Sequence, residues 1–530
     1  MLLALLLWER ASAQPPQQWT WANATHAFDW GLERYDRMCV DHSGNVIAIG
    51  QFVGTITFGN VTLTAAGSED LFLVKYDPAG NLLWARNAGG ANEQYWDLCT
   101  DVCTDDIGNI YLLGYIGSGP ALYDGVDLAE GMTHAAFLMK CAPDGHYLWS
   151  HRLNSGWALC LAITSGGIIH AFASDGNSVK WIRYDNAGSF LGEWSIGLVN
   201  MGGAPRAACT TDGGVILGFS SDDQNFNLDP GGGPHFVYPN NSGCAVVVKY
   251  SAAGVYQWHH DTSGDFSFGG RQTISDLAVD ADDNTLLVVQ DDSNPVDFAG
   301  FQLPYQSSLV KLGSDGTGVW SLRVMVTDTL GNSGDLSCYR VAVDTAGSVY
   351  VSGPVTWVPI SGESINGYTL PTLTQSSYIA KFHANGTALW SVAPAMLEDY
   401  TLIGWSDIAV RIPDALVVAG VTTHHADFPP FEIDGNANQM LIAQLGPSKV
   451  QFNDLIANPL LFPVPANDRL NVSAPNGTLL SVYDMSGRLV MQEQLGTNGW
   501  LDVVHLPSGA YQLQMDLNDR IAQSRFIIAR

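Results

Sequence analysis

Two clusters in this 530-residue chain carry the donor types of a metal site, His259-His260-Asp261 and His424-His425-x-Asp427. Imidazole and carboxylate together suit a transition metal. Neighbouring residues on a strand point to opposite faces, so one His of each pair can join a site, and a structural role is the simpler expectation. Asp222-Asp-Gln-Asn-Phe-Asn-Leu-Asp229, followed by Pro and three Gly, is the oxygen-rich loop best suited to calcium, through Asp222, Asp223 and Asp229. Its spacing is not that of an EF-hand loop. Five of the seven lysines (Lys75, Lys140, Lys249, Lys311 and Lys381) occupy one repeated place. A ring of cations could hold an anion, but recurrence beside the same apolar strand favours pairing with a turn Asp or snorkelling past the sheet. Gly-x-Ser-x-Gly, His-Glu-x-x-His and a phosphate-cradling Gly loop are all missing. No catalytic residue and no cofactor are assigned.

Charge and composition narrow the elements that must position these residues. The formal charge of −29 argues against a nucleic-acid partner, which a polyanion would repel. Of 52 acidic residues 42 are Asp and 10 Glu, beside 56 Gly. Asp and Gly build turns, whereas Glu and Lys favour helices, so the chain reads as all-β. With 46% hydrophobic and 14% charged residues it is no disordered polymer. The apolar run Met1–Trp8 before Ala11-Ser-Ala13 reads as a signal peptide over 1–13, truncated because a basic leader is missing. No other apolar segment is long enough to span a membrane. Cys39 and Cys103 stand where related segments carry Ala278 and Ala342, which makes them small core residues rather than zinc ligands.

Internal repetition organises the chain. Lys75-Tyr-Asp-Pro-Ala-Gly80-Asn-Leu-Leu-Trp84 recurs as Lys140…Gly145…Trp149, Lys249…Gly254…Trp258, Lys311…Gly316…Trp320 and Lys381…Gly386…Trp390. Arg183…Gly188…Trp194 is a copy with two inserted residues, and Leu441-Ile-Ala-Gln444-Leu445 is truncated. Upstream of the copies lie Asp41-His-Ser-Gly44-Asn, Asp105-Asp-Ile-Gly108-Asn, Asp280…Asn284 and Asp344…Gly347, the chemistry of a tight hairpin. Each unit therefore contains four short strands at a spacing of 45 to 70 residues, which predicts propeller blades. Trp21 supplies the Trp strand that the last unit lacks, so the N-terminal strand is expected to close a ring of about seven units over 19–446.

These units resemble the seven-bladed β-propeller repeats of secreted bacterial proteins, a resemblance specific for fold that implies no common activity. After a linker at 447–459, residues 460–530 carry other motifs. They are Phe462-Pro-Val-Pro-Ala-Asn-Asp, Tyr483-Asp-Met-Ser-Gly487-Arg-Leu-Val490, Leu506-Pro-Ser-Gly509-Ala-Tyr511 and the terminal Arg525–Arg530 strand. This segment predicts a small Ig-like β-sandwich, and its motifs resemble the C-terminal sorting domain of type IX secretion cargo in Bacteroidetes. Val464 departs from the usual Asn between the two prolines. The resemblance implies a sorting signal at Pro463, Pro465, Tyr483, Asp484, Gly487, Arg488, Gly509, Tyr511 and Arg530. It also implies recognition by the type IX machinery and passage through the periplasm to the medium or the outer surface.

The expected role is a secreted or surface-attached binding or adhesion module with a glycan or protein ligand. The alternative is a secreted carbohydrate-active hydrolase or lyase with carboxylates at the channel mouth. The clean repeat favours binding.

Overall fold

The computed structural model describes residues 17–26, 34–91, 96–117, 119–153, 155–176, 178–196, 201–221, 226–231, 233–238, 243–262, 272–291, 296–304, 306–327, 333–335, 337–354, 364–365, 368–369, 377–393, 395–396, 403–412, 415–422, 426–428, 430–433, 439–447, 461–462, 469–472, 478–484, 488–496, 500–516 and 521–528. Residues 1–16, which include the segment expected to be a signal peptide, and residues 448–460 lie outside them. The chain divides into two compact units, Met1–Ser448 and Lys449–Arg530.

All regular structure among the described residues is strand. In the first unit, seven four-stranded antiparallel sheets of like pattern follow one another along the chain, and the described residues also form one further four-stranded sheet from Met325–Thr327, Ser333–Asp335, Ser364–Ile365 and Tyr368–Thr369. The first strands of the seven are Arg34–Val40, Asp97–Thr104, Trp157–Ile163, Met201–Cys209, Gln272–Val279, Arg340–Val343 and Ile403–Ile412, and we number these sheets one to seven in that order. Each first strand touches the next, and the seventh touches the first, which closes a propeller around a channel. Sheet seven takes its outer strand from the other end of the unit: Gln17–His26 pairs with Gln439–Pro447. Trp19 is buried there against Trp405 and Phe428, and no edge is left open at the seam.

The recurrent residues have one local reason and one long-range reason. Locally, Asp41 accepts the amides of Ser43 and Asn45, and Gly44 at φ 78° closes the loop by donating to Asp41 O. A three-residue hairpin loop needs such a left-handed position. Lys75 pairs with Asp41 at 2.9 Å and Lys311 with Asp280 at 2.8 Å, all four nearly buried. Burial works against the charge on Asp41 and Asp280, yet bonds from Asn45, Lys75, Lys311 and Asn284 hold both pKa values below the ordinary carboxylate range.

At long range the repeated Lys and Trp share one acceptor on the following sheet. Lys75 Nζ and Trp84 Nε1 both donate to Pro143 O, at 3.1 and 3.3 Å. Lys140 and Trp149 do the same to Asn186 O, Lys249 and Trp258 to Ser314 O, and Lys311 and Trp320 to Ala384 O. Where Lys is replaced, another cation makes the contact. Arg183 Nη1 reaches Ala252 O, and at the seam Arg411 Nη1 reaches Pro78 O. The turn Gly completes this staple, because a Cβ on Gly80 would sit 2.6 Å from the Trp21 ring and one on Gly316 2.8 Å from Trp258. The repeated lysines are therefore structural cations, not an anion-binding ring.

The second unit contains a three-stranded sheet (Leu461–Phe462, Arg469–Val472, Trp500–Asp502) and a four-stranded one (Leu479–Asp484, Leu489–Gln494, Gly509–Asp516, Ile521–Ile528). Leu470 and Leu501 from the first share a core with Val482, Leu513 and Ile528 from the second.

Candidate functional site

The residue four positions before each hairpin turn on the first strands is Arg37, Asp101, Cys160, Arg206, Asp276, Arg340 and Asp407 in sheets one to seven. Each pairs with the residue twelve positions further on, from Arg37 with Ile49 to Asp407 with Ala419, so all seven occupy one level of the ring. In six sheets the strand register shifts immediately before this residue. A bulge of this kind re-aims a side chain. Three guanidinium groups and three carboxylates balance, and seven positions cannot alternate in sign all the way round. Cys160 occupies the odd place, its pKa pushed well above the ordinary thiol value by burial and then by Asp101, and it stays neutral.

The carboxylates bind the ring together. Asp101 Oδ2 accepts Leu161 N at 2.9 Å, Asp276 Oδ2 accepts Val341 N at 3.0 Å, and Asp407 Oδ2 accepts Met38 N at 2.8 Å. Each bond runs to the first strand of the next sheet. Their other oxygens take guanidinium groups: Arg37 on Asp101 and Asp407, and Arg206 on Asp276 at 3.0 Å. Arg37 also lies 3.8 Å from Asp276. Burial opposes the charge of Arg37, but Asp407, Asp101 and Asp276 outweigh it and its pKa ends above the ordinary arginine value. Arg206 is pushed down to about 10, by burial and then by Arg37, and remains a cation at neutral pH.

A cavity of about 320 Å³ opens on the side of this ring nearest the N-terminal ends of the first strands. Arg37, Arg206 and Arg340 all line it, with Asp36, Gln51 and Thr100, whereas Asp101, Asp276 and Asp407 do not. Exposed aromatics stand at the same strand ends: Trp96 (62% exposed), Trp157 (55%) and Tyr339 (41%), next to or two residues from the lining residues Leu98, Ala158 and Arg340. Trp157 is held by stacking on Tyr115 at 4.7 Å.

None of these residues was singled out in sequence, because Arg, Asp and Cys at one place do not read as a repeat. The usable signal was an ionisable residue two positions before the small Cys or Ala of each first strand. The residues that were singled out lie elsewhere. His260 Nε2 bonds Gly316 O at 2.7 Å as part of the staple, and His259 bonds the Tyr256 hydroxyl and faces Asp261. His424, His425, Asp222 and Asp223 lie outside the described residues, as does the side chain of Asp427. Asp229 accepts Gly231 N and Gly233 N, one on each oxygen, as a loop-closing residue does. No group of three metal-ligating side chains occurs among the described residues.

In the second unit the Tyr511 hydroxyl donates to Pro507 O at 2.8 Å, which locks the Leu506-Pro-Ser-Gly turn into the strand that Gly509 opens. Tyr483 ends the regular pairing of its hairpin, and Arg488 is exposed at the hairpin's far side. Asp484 is described only in its backbone, and Pro463, Pro465, Gly487 and Arg530 lie outside the described residues. Residues 460–529 match the family described as the secretion system C-terminal sorting domain. The carboxy-terminal segment is a secretion sorting domain. Such a sorting domain directs export to the cell surface or the extracellular space, and the propeller is its cargo. No helix among the described residues is long and apolar enough to cross a membrane.

A WD repeat-containing protein of Acanthamoeba polyphaga mimivirus is 22% identical over 68% of this chain, which spans about a third (32%) of that relative's length. Among solved structures, a protein of unknown function from Dyadobacter fermentans is similar at 10% identity and TM-score 0.40, covering 82% of this chain and 100% of its own. The RRP9 WD40 repeats are similar at 9% identity and TM-score 0.43, covering 81% and 100%. The fold assignment rests on the strand topology.

Proposed function

We propose that this protein is an exported propeller whose channel mouth binds glycan, delivered by the interaction of its sorting domain with the type IX secretion machinery. The observation that carries this reading is the set of exposed aromatic side chains, Trp96, Trp157 and Tyr339, at the N-terminal ends of first strands whose next residues line a cavity of mixed polar and apolar character. Large exposed aromatics cost free energy in water and suit a ligand with both apolar and polar faces. The hydrolase reading needs carboxylates that face a substrate. Those of the ring accept backbone amides and guanidinium groups on their two oxygens and do not line the cavity. The recognition surface of the sorting domain is the hairpin around Tyr483 and Arg488.

Affinity electrophoresis of the full chain in gels cast with individual polysaccharides tests the proposal. Retardation by at least one polysaccharide, reduced in Trp157→Ala, is the expected result. Migration unchanged by every polysaccharide would refute it. Release of oligosaccharide from any of them would replace it with the hydrolase reading.

A further inference from the structure

Two of the exposed aromatics at the channel mouth gather at one residue pair. Leu98, on the first strand of sheet two, pairs with Tyr115 on the second. Trp96 lies two residues before Leu98, and residues two apart on a strand share a face. The Trp157 ring lies flat on the Tyr115 ring, with centroids 4.7 Å apart and planes inclined by 11°. Trp96 and Trp157 thus meet at the boundary of sheets two and three, where Leu98 and Ala158 line the cavity. Tyr339 is elsewhere, beside the first strand of sheet six, whose neighbours in the ring are sheets five and seven.

Both tryptophans stand on fixed supports. Tyr115 is 6% exposed and its hydroxyl bonds His134 Nδ1, so one face of Trp157 rests on a ring that is itself held. Trp157 is nevertheless 55% exposed, and the face turned away from Tyr115 is the open one. Trp96 is 62% exposed, while its backbone is bridged to Glu69. The next residue, Asp97, accepts Gly90 N at 2.7 Å and Gly117 N at 2.9 Å. A rigid aromatic on a fixed backbone loses little freedom when a ligand settles on it.

We propose that Trp157 and Trp96 form two successive stacking subsites for a pyranose polysaccharide, bound by internal units of its chain. This deepens the glycan reading and rests on it. A pyranose chair turns several C–H bonds toward one face, and these weakly positive hydrogens suit the negative face of an indole. A furanose ring is smaller and puckered and covers less of that face. Both indoles are more than half exposed, so a chain can cross them without presenting an end. Stacking of this kind selects ring shape, not charge.

Calorimetric titration of the full chain tests this, with glucose, mannose, galactose and xylose pyranose oligosaccharides and arabinose and fructose furanose ones, each as monomer and trimer. At least one pyranose trimer should bind about tenfold more tightly than its monomer, because the second subsite adds to the first. The furanose trimers should bind about tenfold more weakly than that pyranose trimer. Trp157→Ala and Trp96→Ala should each weaken the pyranose trimer by about tenfold with little change in melting midpoint, and Tyr339→Ala should leave it unaltered. Tyr115 is a positioning residue: Tyr115→Leu should weaken the trimer as Trp157→Ala does, whereas Tyr115→Phe, which keeps the stack, should retain the parent affinity. Borohydride reduction of the chain end should change nothing, and loss of binding on reduction would overturn the internal mode. Equal affinity for furanose and pyranose trimers, or unchanged affinity in both tryptophan variants, would overturn the inference and leave the glycan reading standing. Retention in polysaccharide gels with no binding of any trimer would do the same. No binding to any oligosaccharide or any gel would overturn the glycan reading itself.

Discussion

Arg37 Nη1 lies 3.8 Å from Asp276 Oδ1, although the strands that carry the two residues, in sheets one and five, are not neighbours in the ring. The same guanidinium meets Asp101 of sheet two and Asp407 of sheet seven. One side chain thus ties together parts of the chain that lie up to 370 residues apart. A buried guanidinium is tolerable only with such partners, because its desolvation is otherwise uncompensated.

Removing one carboxylate from this ring should be expensive. Asp276→Ala leaves Arg206, whose side chain is 6% exposed, without its 3.0 Å partner and also frees Val341 N. Breaking a buried pair costs about 3 kcal/mol or more. Thermal unfolding should show a large drop for Asp276→Ala and almost none for Asp315→Ala at an exposed turn. Equal midpoints in the two variants would remove the ring's structural role.

The staple separates two effects of glycine. Gly316 and Gly125 have similar backbone, φ 86° and 81°, but a Cβ on Gly316 meets Trp258 at 2.8 Å whereas one on Gly125 meets nothing within 4 Å. Gly125→Ala should cost about 1 kcal/mol from left-handed strain alone. Gly316→Ala should cost clearly more, read by chemical denaturation, and Lys311→Ala should destabilise in the same direction.

Acid should weaken the propeller through His170. This fully buried imidazole accepts Trp181 Nε1 at 3.1 Å, and burial, followed by Arg183, pushes its pKa from 6.5 down to about 3. The unfolded chain takes up a proton at the ordinary value while the folded one does not. The contribution of His170 is therefore complete above pH 6.5 and is lost progressively as pH falls toward 3. Melting midpoints between pH 7 and 4 should fall less steeply in His170→Gln than in the parent protein.

Ring closure at the seam can be tested by deleting residues 1–26. The deletion exposes the edge of Gln439–Pro447 and removes Trp19 from Trp405 and Phe428. A lowered melting midpoint and concentration-dependent association are expected from the open edge. A monomer of unchanged stability would contradict the pairing.

Deleting Lys449–Arg530 should leave a folded propeller in the periplasm, since each unit buries its own core. Normal yield of the truncated protein in the medium would show that the sorting domain is not needed for export.

The repeated Lys, Gly and Trp make the propeller legible in the sequence alone. Each one serves a contact between sheets that every repeat must make again, so the same residue types return at the same spacing. The strand that closes the ring was legible for the same reason, as Trp21 stands against Gly80 where the repeat requires a Trp. Tyr511 was visible as part of a motif because its bond to Pro507 is local. The lysines looked like candidate ligands until their depth and partners were known, and the Asp that pairs with each lies a strand away in the same sheet.

The ring at the channel was not legible. Arg37, Asp101, Cys160, Arg206, Asp276, Arg340 and Asp407 share a place in the repeat but not a chemistry, since each has to complement its neighbours in the circle rather than copy them. Which charges meet depends on the curvature that brings the seventh first strand back to the first. The local pattern of each strand specifies that a strand forms and which residue points inward. Only closure of the whole ring decides what that residue faces, and therefore that three arginines share one cavity.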